Sequence, residues 1–295
     1  MQPKTLADLN ACSKDDFVAA LANIFEYSPW IAEQAVSARP FAGANALFAA
    51  MKAAVDRAPS ELRLALIKGH PDLANKTQRA AGLTAESSDE QNSVGLDRLS
   101  DAEYEAFERV NNAYRSKFGF PYIVCVRRHT KDSILRDFER RLPNDAKTET
   151  QTSIAEICRV AALRLDQLVT SDDRLAVHGR LSTHVLDTHS GKPAAGIAVE
   201  LVELSDLGAS RVVTRTVTNS DGRTDRPLIG GRPVPIGRYE LMFSVGTYFA
   251  ARQVPMSDPP FLDQIPLRFS VSDPEGHLHV PLLVTPWSYA TYRGS

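Results

Sequence analysis

The repeat period of the apolar residues changes once along the chain, and this change constrains the fold more than any other feature. Up to about residue 170, apolar residues recur at the three-and-four spacing of helices, as in DDFVAALANIF. After TSDDR, at residues 170–174, apolar and polar residues alternate, as in RLAVHGRLSTHVLD. The length of 295 residues also exceeds the usual single core. We therefore predict one domain over residues 1–170 and another over residues 175–295.

The first half carries the signals of an all-α helical bundle. The segment SDAEYEAFERVNNAYRSKFG begins with Ser100 and Glu103 at capping-box spacing and ends at Gly119, a common helix stop. In KTETQTSIAEICRVAALRLDQLV, Thr148 and Gln151 have the same spacing and predict a second capping box. Apolar residues along that segment fall on one helix face: Ile154, Ile157, Ala161, Leu165 and Leu168.

The second half reads as an all-β sandwich. Glycine and proline total 12 in residues 1–170 and 22 in residues 171–295, so turn signals are denser there. Seven or eight short strand-like runs fit within this half, separated by turns such as THSGKP and NSDG. In the first run, alternation predicts that Leu175, Val177, Leu181 and Val185 share one face, and that His178, Arg180, Ser182 and His184 share the other.

Composition excludes several classes of protein. The net charge of −2, without a long basic run, argues against a nucleic-acid surface. No apolar stretch approaches the roughly 20 residues that span a bilayer, and MQPKTLADLN lacks the apolar core of a signal peptide. We expect no membrane association and a cytosolic location. The three cysteines are odd in number and widely spaced, which favours free thiols: Cys12, Cys125 and Cys158.

Three polar groups of the β half are candidates for chemistry. They are His184 on the first strand, Arg223 directly after the NSDG turn, and the His277 and His279 pair near the end. His277 and His279 share a strand face because they are two residues apart. His-x-His spacing also suits a metal, but no acidic residue and no further histidine follows residue 279, so we expect no metal. The plainer alternative is that each histidine is a surface or structural residue.

Three separated motifs resemble the 5-hydroxyisourate hydrolase family, the transthyretin-related enzymes of urate breakdown. They are LSTHVLDTHSGKPA, NSDGR and HVPLLVTPWSYATYRGS, in the order that the family has them. The resemblance covers residues 175–295 and implies a transthyretin-like (prealbumin) sandwich. It also implies a site formed by His184, Arg223, His279, Tyr292, Arg293, Gly294 and Ser295.

The chemistry of these residue types agrees with that resemblance. Ring opening of 5-hydroxyisourate needs a proton acceptor for the attacking water and a cation for the developing oxyanion. His184 and His279 would position and deprotonate water, Arg223 would bind anionic oxygens, and Ser295 would orient a histidine or the water. Spacing leaves open which histidine is the base. His277 and His178 are interpreted as structural or rim residues.

Residues of the helical half offer a second candidate pair. GHPDL contains His70 beside Pro71, and ESSDEQ contains Ser87 and Glu90 three residues apart, on one side of a helical turn. Histidine with glutamate is a plausible acid–base pair. A solvated histidine at a helix end and a capping Ser-x-x-Glu would explain the same letters.

GHPDL, ESSDEQ-x-x-x-GLD, FGFPYIVCVR and the late ALRL together resemble the 2-oxo-4-hydroxy-4-carboxy-5-ureidoimidazoline (OHCU) decarboxylases. The resemblance spans nearly all of residues 1–168 and implies that His70 and Glu90 are the catalytic pair. It further implies that the substrate is held by Pro71, Ser87, Phe118, Gly119, Phe120, Pro121 and Arg164. Helical periodicity independently places Arg164 on the shoulder of an apolar stripe, and a plain solvent-facing arginine is the alternative. The imidazoline ring can absorb the electrons left by CO2, so no cofactor is expected.

Together the two halves predict a bifunctional enzyme of the allantoin synthase type. It would convert 5-hydroxyisourate through OHCU to (S)-allantoin and CO2. Two alternatives stay open: one domain serves only as an assembly module, or the sandwich is a small-ligand carrier like transthyretin. By resemblance, we expect a homo-oligomer with tetramer contacts through the β domain and dimer contacts through the helical domain.

Overall fold

The computed structural model describes residues 3–74, 84–206 and 209–294. The chain forms two compact units, of which the first comprises Met1–Arg127 and Ser133–Val177. The second comprises Arg128–Asp132 and His178–Ser295. The prediction of a helical N-terminal region followed by a transthyretin-like β region is confirmed. The limits 1–170 and 175–295 remain predictions.

The first unit is built from helices. In chain order they are α1 (Leu6–Ala11), α2 (Lys14–Leu21), α3 (Trp30–Ala35), α4 (Ala44–Arg57), α5 (Ser60–Lys68), α6 (Ala85–Ser93), α7 (Asp101–Phe118), α8 (Lys131–Arg141, in this unit from residue 133) and α9 (Ala146–Leu168). Two short parallel strands, β1 (Lys4–Thr5) and β2 (Val169–Thr170), pair with each other. No described helix combines the length and the apolar composition needed to cross a membrane.

The predicted capping box is present at the start of α7 but not at the start of α9. Ser100 and Glu103 form the predicted capping box at the start of α7, and Gly119 ends the helix in the left-handed conformation, with φ 74°. The capping box predicted at Thr148 is wrong. Asp145 caps α9 by accepting a hydrogen bond from Thr148 N, because the helix begins at Ala146 and Thr148 already lies within its first turn.

Helix α9 is surrounded by the rest of its unit. Its second half buries Ile157, Ala161, Leu165 and Leu168, as predicted, and also buries several polar side chains, among them Arg164. Ile154 is only partly buried at the edge of the core. A helix enclosed on most sides must therefore pair its buried charges within the unit.

The TSDDR segment is anchored on the first unit. Asp173 accepts hydrogen bonds from Ala44 N at 2.7 Å and Asn45 N at 3.0 Å, which satisfies free N–H groups at the start of α4. Leu175 and Val177 are buried in the core of this unit. The prediction that they share a strand face with Leu181 is therefore wrong, because the period-two strand begins only at Gly179.

The second unit consists of short strands and one helix. The strands are β3 (Gly179–Ser182), β4 (Val185–Asp187), β5 (Lys192–Pro193), β6 (Ala198–Leu204), β7 (Arg211–Val217), β8 (Ile229–Arg232), β9 (Gly237–Ser244), β10 (Gln264–Val271), β11 (His277–His279), β12 (Leu282–Val284) and β13 (Tyr289–Thr291). The helix α10 (Val245–Ala251) was not predicted. Its Val245, Tyr248 and Phe249 are buried in the core of this unit.

The described residues of this unit form three sheets. Their strand orders are β10-β9-β6-β7, β13-β12-β4-β5 and β11-β3-β8. The neighbouring strands β9 and β6 bury Tyr239, Leu241, Phe243 and Leu201 completely. Alternation along β9 is regular, with every second residue buried, as period-two patterning requires.

Two interrupted strand pairs position the polar residues. The parallel pair β3–β11 stops at Ser182 and His279, and the parallel pair β4–β12 resumes at Val185 and Leu282. The gap is still hydrogen-bonded, since Val280 N donates to Ser182 O and Leu282 N donates to His184 O, both at 2.9 Å. Pro281 has no N–H to donate, which agrees with the interruption of the ladder there. His184 and His279 consequently lie beside each other.

Candidate active sites

The first unit contains an open cleft of about 400 Å³ that gathers residues from distant parts of the sequence. Its lining includes His70 and Pro71 after α5, Ser87 and Glu90 on α6, and Arg164 on α9. Apolar walls come from Tyr122, Ile123, Val124, Val126 and Val160. Five of the residues predicted for the decarboxylase-like site thus line a single cleft, where low polarity strengthens electrostatic contacts.

Arg164 is held by two carboxylates in this cleft. Its Nε and Nη2 donate to the two oxygens of Glu90 at 2.8 and 2.9 Å, a bidentate pair. Its Nη1 lies 2.8 Å from Glu26 Oε2, and the Arg164 side chain is only 3% exposed. Burial opposes the charge on Arg164, but both carboxylates outweigh that effect and raise its pKa further.

Glu26 is a site residue that the sequence did not indicate. It is 2% exposed and accepts hydrogen bonds from Thr84 Oγ1 at 2.6 Å and from Ser87 Oγ at 2.9 Å. Although burial raises the pKa of Glu26, Arg164 and the Thr84 hydroxyl lower it below its ordinary value. Nothing in the sequence near IFEY distinguishes this glutamate from a surface residue. Only the packing of α6 and α9 brings its partners together.

His70 lies half-buried in the cleft with a defined tautomer. Its Nδ1 is 2.8 Å from the Leu66 carbonyl oxygen, which can only accept, so Nδ1 carries the proton in the neutral ring. Nε2 then keeps its lone pair. Burial is the main cause that lowers the pKa of His70, and Glu26 partly offsets it. The neutral imidazole is therefore the resting form near pH 7.

The capping alternative for Ser87 and Glu90 is wrong. Thr84 is the N-cap of α6, and its hydroxyl accepts from Ser87 N. Ser87 and Glu90 lie within the helix, with 6% and 7% of their surfaces exposed. Their three-residue spacing places both on the buried side of α6, together with Gln91.

Four of the residues predicted to hold substrate lie at the end of α7. Phe118 and Phe120 pack against Tyr114, with ring centroids 4.6 and 6.0 Å away, and Pro121 is buried. Gly119 provides the left-handed turn between them. Among the described residues, the cleft lining on this segment begins one residue later, at Tyr122. The FGFP motif here positions the cleft wall, and direct substrate contact by these four residues remains a prediction.

In the second unit, His184 and His279 form the centre of a hydrogen-bonded group. His184 Nδ1 lies 2.7 Å from His279 Nε2, and the two rings are 9° from parallel. His279 is 8% exposed, whereas His184 is half-buried. Since one nitrogen must donate and the other accept, the two rings share a single proton between these atoms.

Ser182 and His277 extend this group. Ser182 Oγ lies 2.9 Å from His279 Nδ1 and 2.9 Å from His277 Nε2. Ser182 faces the strand β11 in register with His279, so its hydroxyl reaches both histidines. The structural or rim role that the sequence suggests for His277 remains a prediction, and the contact with Ser182 is an additional finding. The His-x-His spacing was the available signal, because both side chains must lie on one strand face.

Burial and nearby positive charge keep these imidazoles neutral. Burial is the largest cause that lowers the pKa of His279 to about 4, and His184, Arg223 and His277 add to it. Burial and then Arg223 also lower the pKa of His184. Arg223 itself is exposed and lies opposite His184 in an isolated antiparallel bridge. Neutral imidazoles can accept a proton at neutral pH.

The turn before Arg223 depends on glycine. Gly222 has φ 69°, and a Cβ there would lie 2.3 Å from Val185 O. Val185 N also donates to Gly222 O at 2.8 Å, which ties the turn to the strand that follows His184. The NSDGR turn thus holds the backbone of Arg223 beside that of His184.

The last described residues lie against His279. Gly294 N donates to His279 O at 2.9 Å, and a Cβ on Gly294 would approach His279 Cδ2 to 2.8 Å. Tyr292 and Arg293 are exposed. Ser295, which the sequence predicts as a catalytic residue, lies outside the described residues. The backbone of the C-terminal segment therefore covers one side of the His279 ring.

Comparison with known proteins places each unit in a family. Residues 10–166 match the OHCU decarboxylase family, and residues 181–294 match the HIUase/Transthyretin family. A protein of Haloferax volcanii named 2-oxo-4-hydroxy-4-carboxy-5-ureidoimidazoline decarboxylase is 41% identical over 172 residues, 58% of this chain and 100% of the relative. A Deinococcus radiodurans protein named 5-hydroxyisourate hydrolase is 57% identical over 119 residues, 40% of this chain and 98% of the relative. The chain belongs to both families.

A solved structure joins the two families in one chain. The crystal structure of an (S)-allantoin synthase is 35% identical and covers 99% of this chain and 100% of its own, with a TM-score of 0.54. The predicted resemblance to a fused decarboxylase and hydrolase is confirmed. As a member of both families, the chain carries in each unit the histidines that the motifs indicated, and adds Glu26, Ser182 and His277 to their surroundings.

Proposed function

We propose that the protein hydrolyses 5-hydroxyisourate to OHCU in its second unit and decarboxylates OHCU to (S)-allantoin and CO2 in its first. One observation carries this proposal: each family region holds a histidine that burial keeps neutral, next to charged partners suited to its reaction. In the decarboxylase unit, Glu90 and Arg164 line the same cleft as His70. In the hydrolase unit, Arg223 accompanies His184 and His279.

Ring opening uses the neutral imidazoles as the base. Water attacks the ring carbonyl, and His184 or His279 accepts its proton as the C–O bond forms. Arg223 stabilises the negative charge that develops on the carbonyl oxygen. The C–N bond then breaks and the leaving nitrogen takes a proton. The segment Tyr292, Arg293 and Gly294 encloses the site, and we keep Ser295 as the residue that orients water or an imidazole.

Decarboxylation uses His70 and the Glu90 carboxylate. Loss of CO2 places an electron pair on the ring, where the adjacent imine and carbonyl delocalise it. Nε2 of His70, which has no hydrogen-bond partner among the described residues, can move the proton to or from the reacting centre. Glu90, fixed by Arg164, accepts hydrogen bonds from ring N–H groups, and protonation on one face gives the (S) product. Pro71 and Ser87 shape the adjoining wall.

The assembly belongs to the proposal as well. We propose a homo-oligomer with tetramer contacts through the transthyretin-like unit and dimer contacts through the helical unit. Its ligands are the two small molecules of the pathway, and the cytosol is the proposed location. Joining the sites in one chain raises the local concentration of OHCU near its decarboxylase.

Paired assays on freshly prepared 5-hydroxyisourate test the proposal. Ultraviolet absorbance follows the loss of 5-hydroxyisourate and the rise and fall of OHCU, and circular dichroism follows the chirality of the allantoin. We expect both steps to exceed spontaneous decay and the product to be (S). A protein that accelerates only one step would be a single-activity enzyme with an assembly module. Tight binding without turnover would indicate a carrier.

A further inference from the structure

Four side chains of the hydrolase unit form a continuous hydrogen-bonded row. It runs from His184 Nδ1 to His279 Nε2 at 2.7 Å, from His279 Nδ1 to Ser182 Oγ at 2.9 Å, and from Ser182 Oγ to His277 Nε2 at 2.9 Å. We call it the histidine row. Its middle members, His279 and Ser182, are 8% and 6% exposed, and its last member, His277, is exposed. The row thus connects the site with solvent.

Ring opening of a cyclic amide at neutral pH releases a proton. Water supplies the hydroxyl oxygen that bonds to the carbonyl carbon and supplies one proton to the leaving nitrogen. The new carboxylic acid, with a pKa of roughly 3.5, then ionises. The leaving ureido nitrogen is not basic enough to retain this second proton. One proton per turnover must therefore leave a site whose water access is reduced by burial.

We infer that the histidine row carries this proton to solvent, with Ser182 as the connecting hydroxyl and His277 as the exit group. The inference rests on the proposed ring opening and adds two positioning residues to it. Each interior member of the row has one donor and one acceptor contact, so the hydrogen bonds can all point toward His277 or all point toward His184. A shift from the first orientation to the second moves one proton along the row.

The positive charges around the row disfavour a proton that stays on it, and so favour release of the proton to solvent. Arg180 is the register partner of His277, and Arg223 adds positive charge near His184 and His279. The low pKa of His279 means that a proton does not rest on it near neutral pH. His277, exposed at the end of the row, returns the proton to water or buffer.

A buffer-rescue experiment separates proton transfer from a structural role. His277→Phe keeps a ring of similar shape but can accept no proton. His189→Phe is the matched control, because His189 is also exposed but packs edge-on against Trp287 and, within the described part of the chain, makes no hydrogen bond with the row. Ring-opening kinetics are measured in dilute, poorly transferring buffer and then with added imidazole, after subtracting spontaneous decay.

We expect His277→Phe to lower kcat about tenfold with little change in KM, and imidazole to restore it. His189→Phe should match the unmodified protein. Ser182→Ala should lower kcat similarly, and the double variant should show no further loss, because both changes interrupt one path. A normal kcat for His277→Phe, or a loss of kcat that imidazole does not relieve, would overturn this inference but leave the proposed ring opening intact. Absence of catalysed ring opening in the unmodified protein would overturn the proposed function, and the inference with it.

Discussion

Arg164 binds both carboxylate oxygens of Glu90, at 2.8 and 2.9 Å, inside the helical unit. The two residues are 74 positions apart in sequence, and their pair joins α6 to α9. Because the Arg164 side chain is only 3% exposed, the pair fixes the direction of the Glu90 carboxylate in the cleft. A buried pair of this kind is costly to break, since the remaining charge stays desolvated.

Replacing Arg164 should therefore affect both stability and decarboxylation. Arg164→Met leaves Glu90 and Glu26 without their shared cation, and we expect the free energy of unfolding to fall by about 3–5 kcal/mol. Arg164→Lys keeps a charge, so this variant should fold. Because it loses the bidentate geometry, its decarboxylation rate should be at least tenfold lower. Arg159→Gln, at an exposed position on the same helix, serves as the control. Denaturant unfolding measures the effect on stability, and the OHCU assay measures the effect on decarboxylation. An unchanged decarboxylation rate in Arg164→Lys would contradict the predicted role of the bidentate pair.

His70→Ala should separate the two reactions. Removing the imidazole takes away the only neutral nitrogen base found among the described residues that line the cleft. We expect ring opening to proceed at its normal rate while OHCU accumulates and decays at the spontaneous rate, giving racemic allantoin. Lys68→Ala, two residues earlier and exposed, controls for local disturbance of α5. Loss of ring opening in His70→Ala would show that the two sites are misassigned.

Gly294→Ala should weaken the hydrolase activity alone. The added Cβ would approach His279 Cδ2 to 2.8 Å, closer than side-chain contacts normally allow, so the C-terminal segment must shift away from the imidazole. We expect ring opening to fall about tenfold or more, because misplacement by a fraction of an ångström is costly at a reacting centre. Decarboxylation of separately supplied OHCU should not change. Ala290→Ser, at an exposed strand position, is the control, and its ring-opening rate should equal that of the unmodified protein.

The low pKa of His279 predicts how ring opening and stability depend on pH. Its pKa falls from 6.5 to about 4 in the folded state, so the folded protein binds fewer protons there than the unfolded chain. This contribution to stability is fully present above pH 6.5 and is lost as the pH falls toward 4. Ring opening should likewise persist at pH 5.5 and decline toward pH 4.

Comparison with His279→Gln isolates this effect from the carboxylates that titrate in the same range. The difference in unfolding free energy between the two proteins should shrink as the pH falls from 6.5 to 4. A difference that stays constant over that interval would contradict the assigned pKa direction.

The sequence by itself determined the two kinds of structure and most of the chemistry. Ser100, Glu103 and Gly119 set the ends of α7 through contacts within a few residues, and period-two alternation marked β9 and its neighbours. The motifs likewise identified His70, Glu90, Arg164, His184 and His279 as site residues, and the structure gathers each set. Helix caps and strand alternation depend on residues that are close in the sequence, so a short segment is enough to predict them.

Only the tertiary structure decided which groups these residues contact. Glu26 pairs with Arg164 across 138 positions of the chain, as the numbers of the two residues show. Ser182 meets His277 because two parallel strands lie in register, and Leu175 packs with the helical core although its spacing suited a strand. Such contacts depend on the packing of whole elements, and the free energy that selects them is distributed over the core. No short segment of the sequence contains that information.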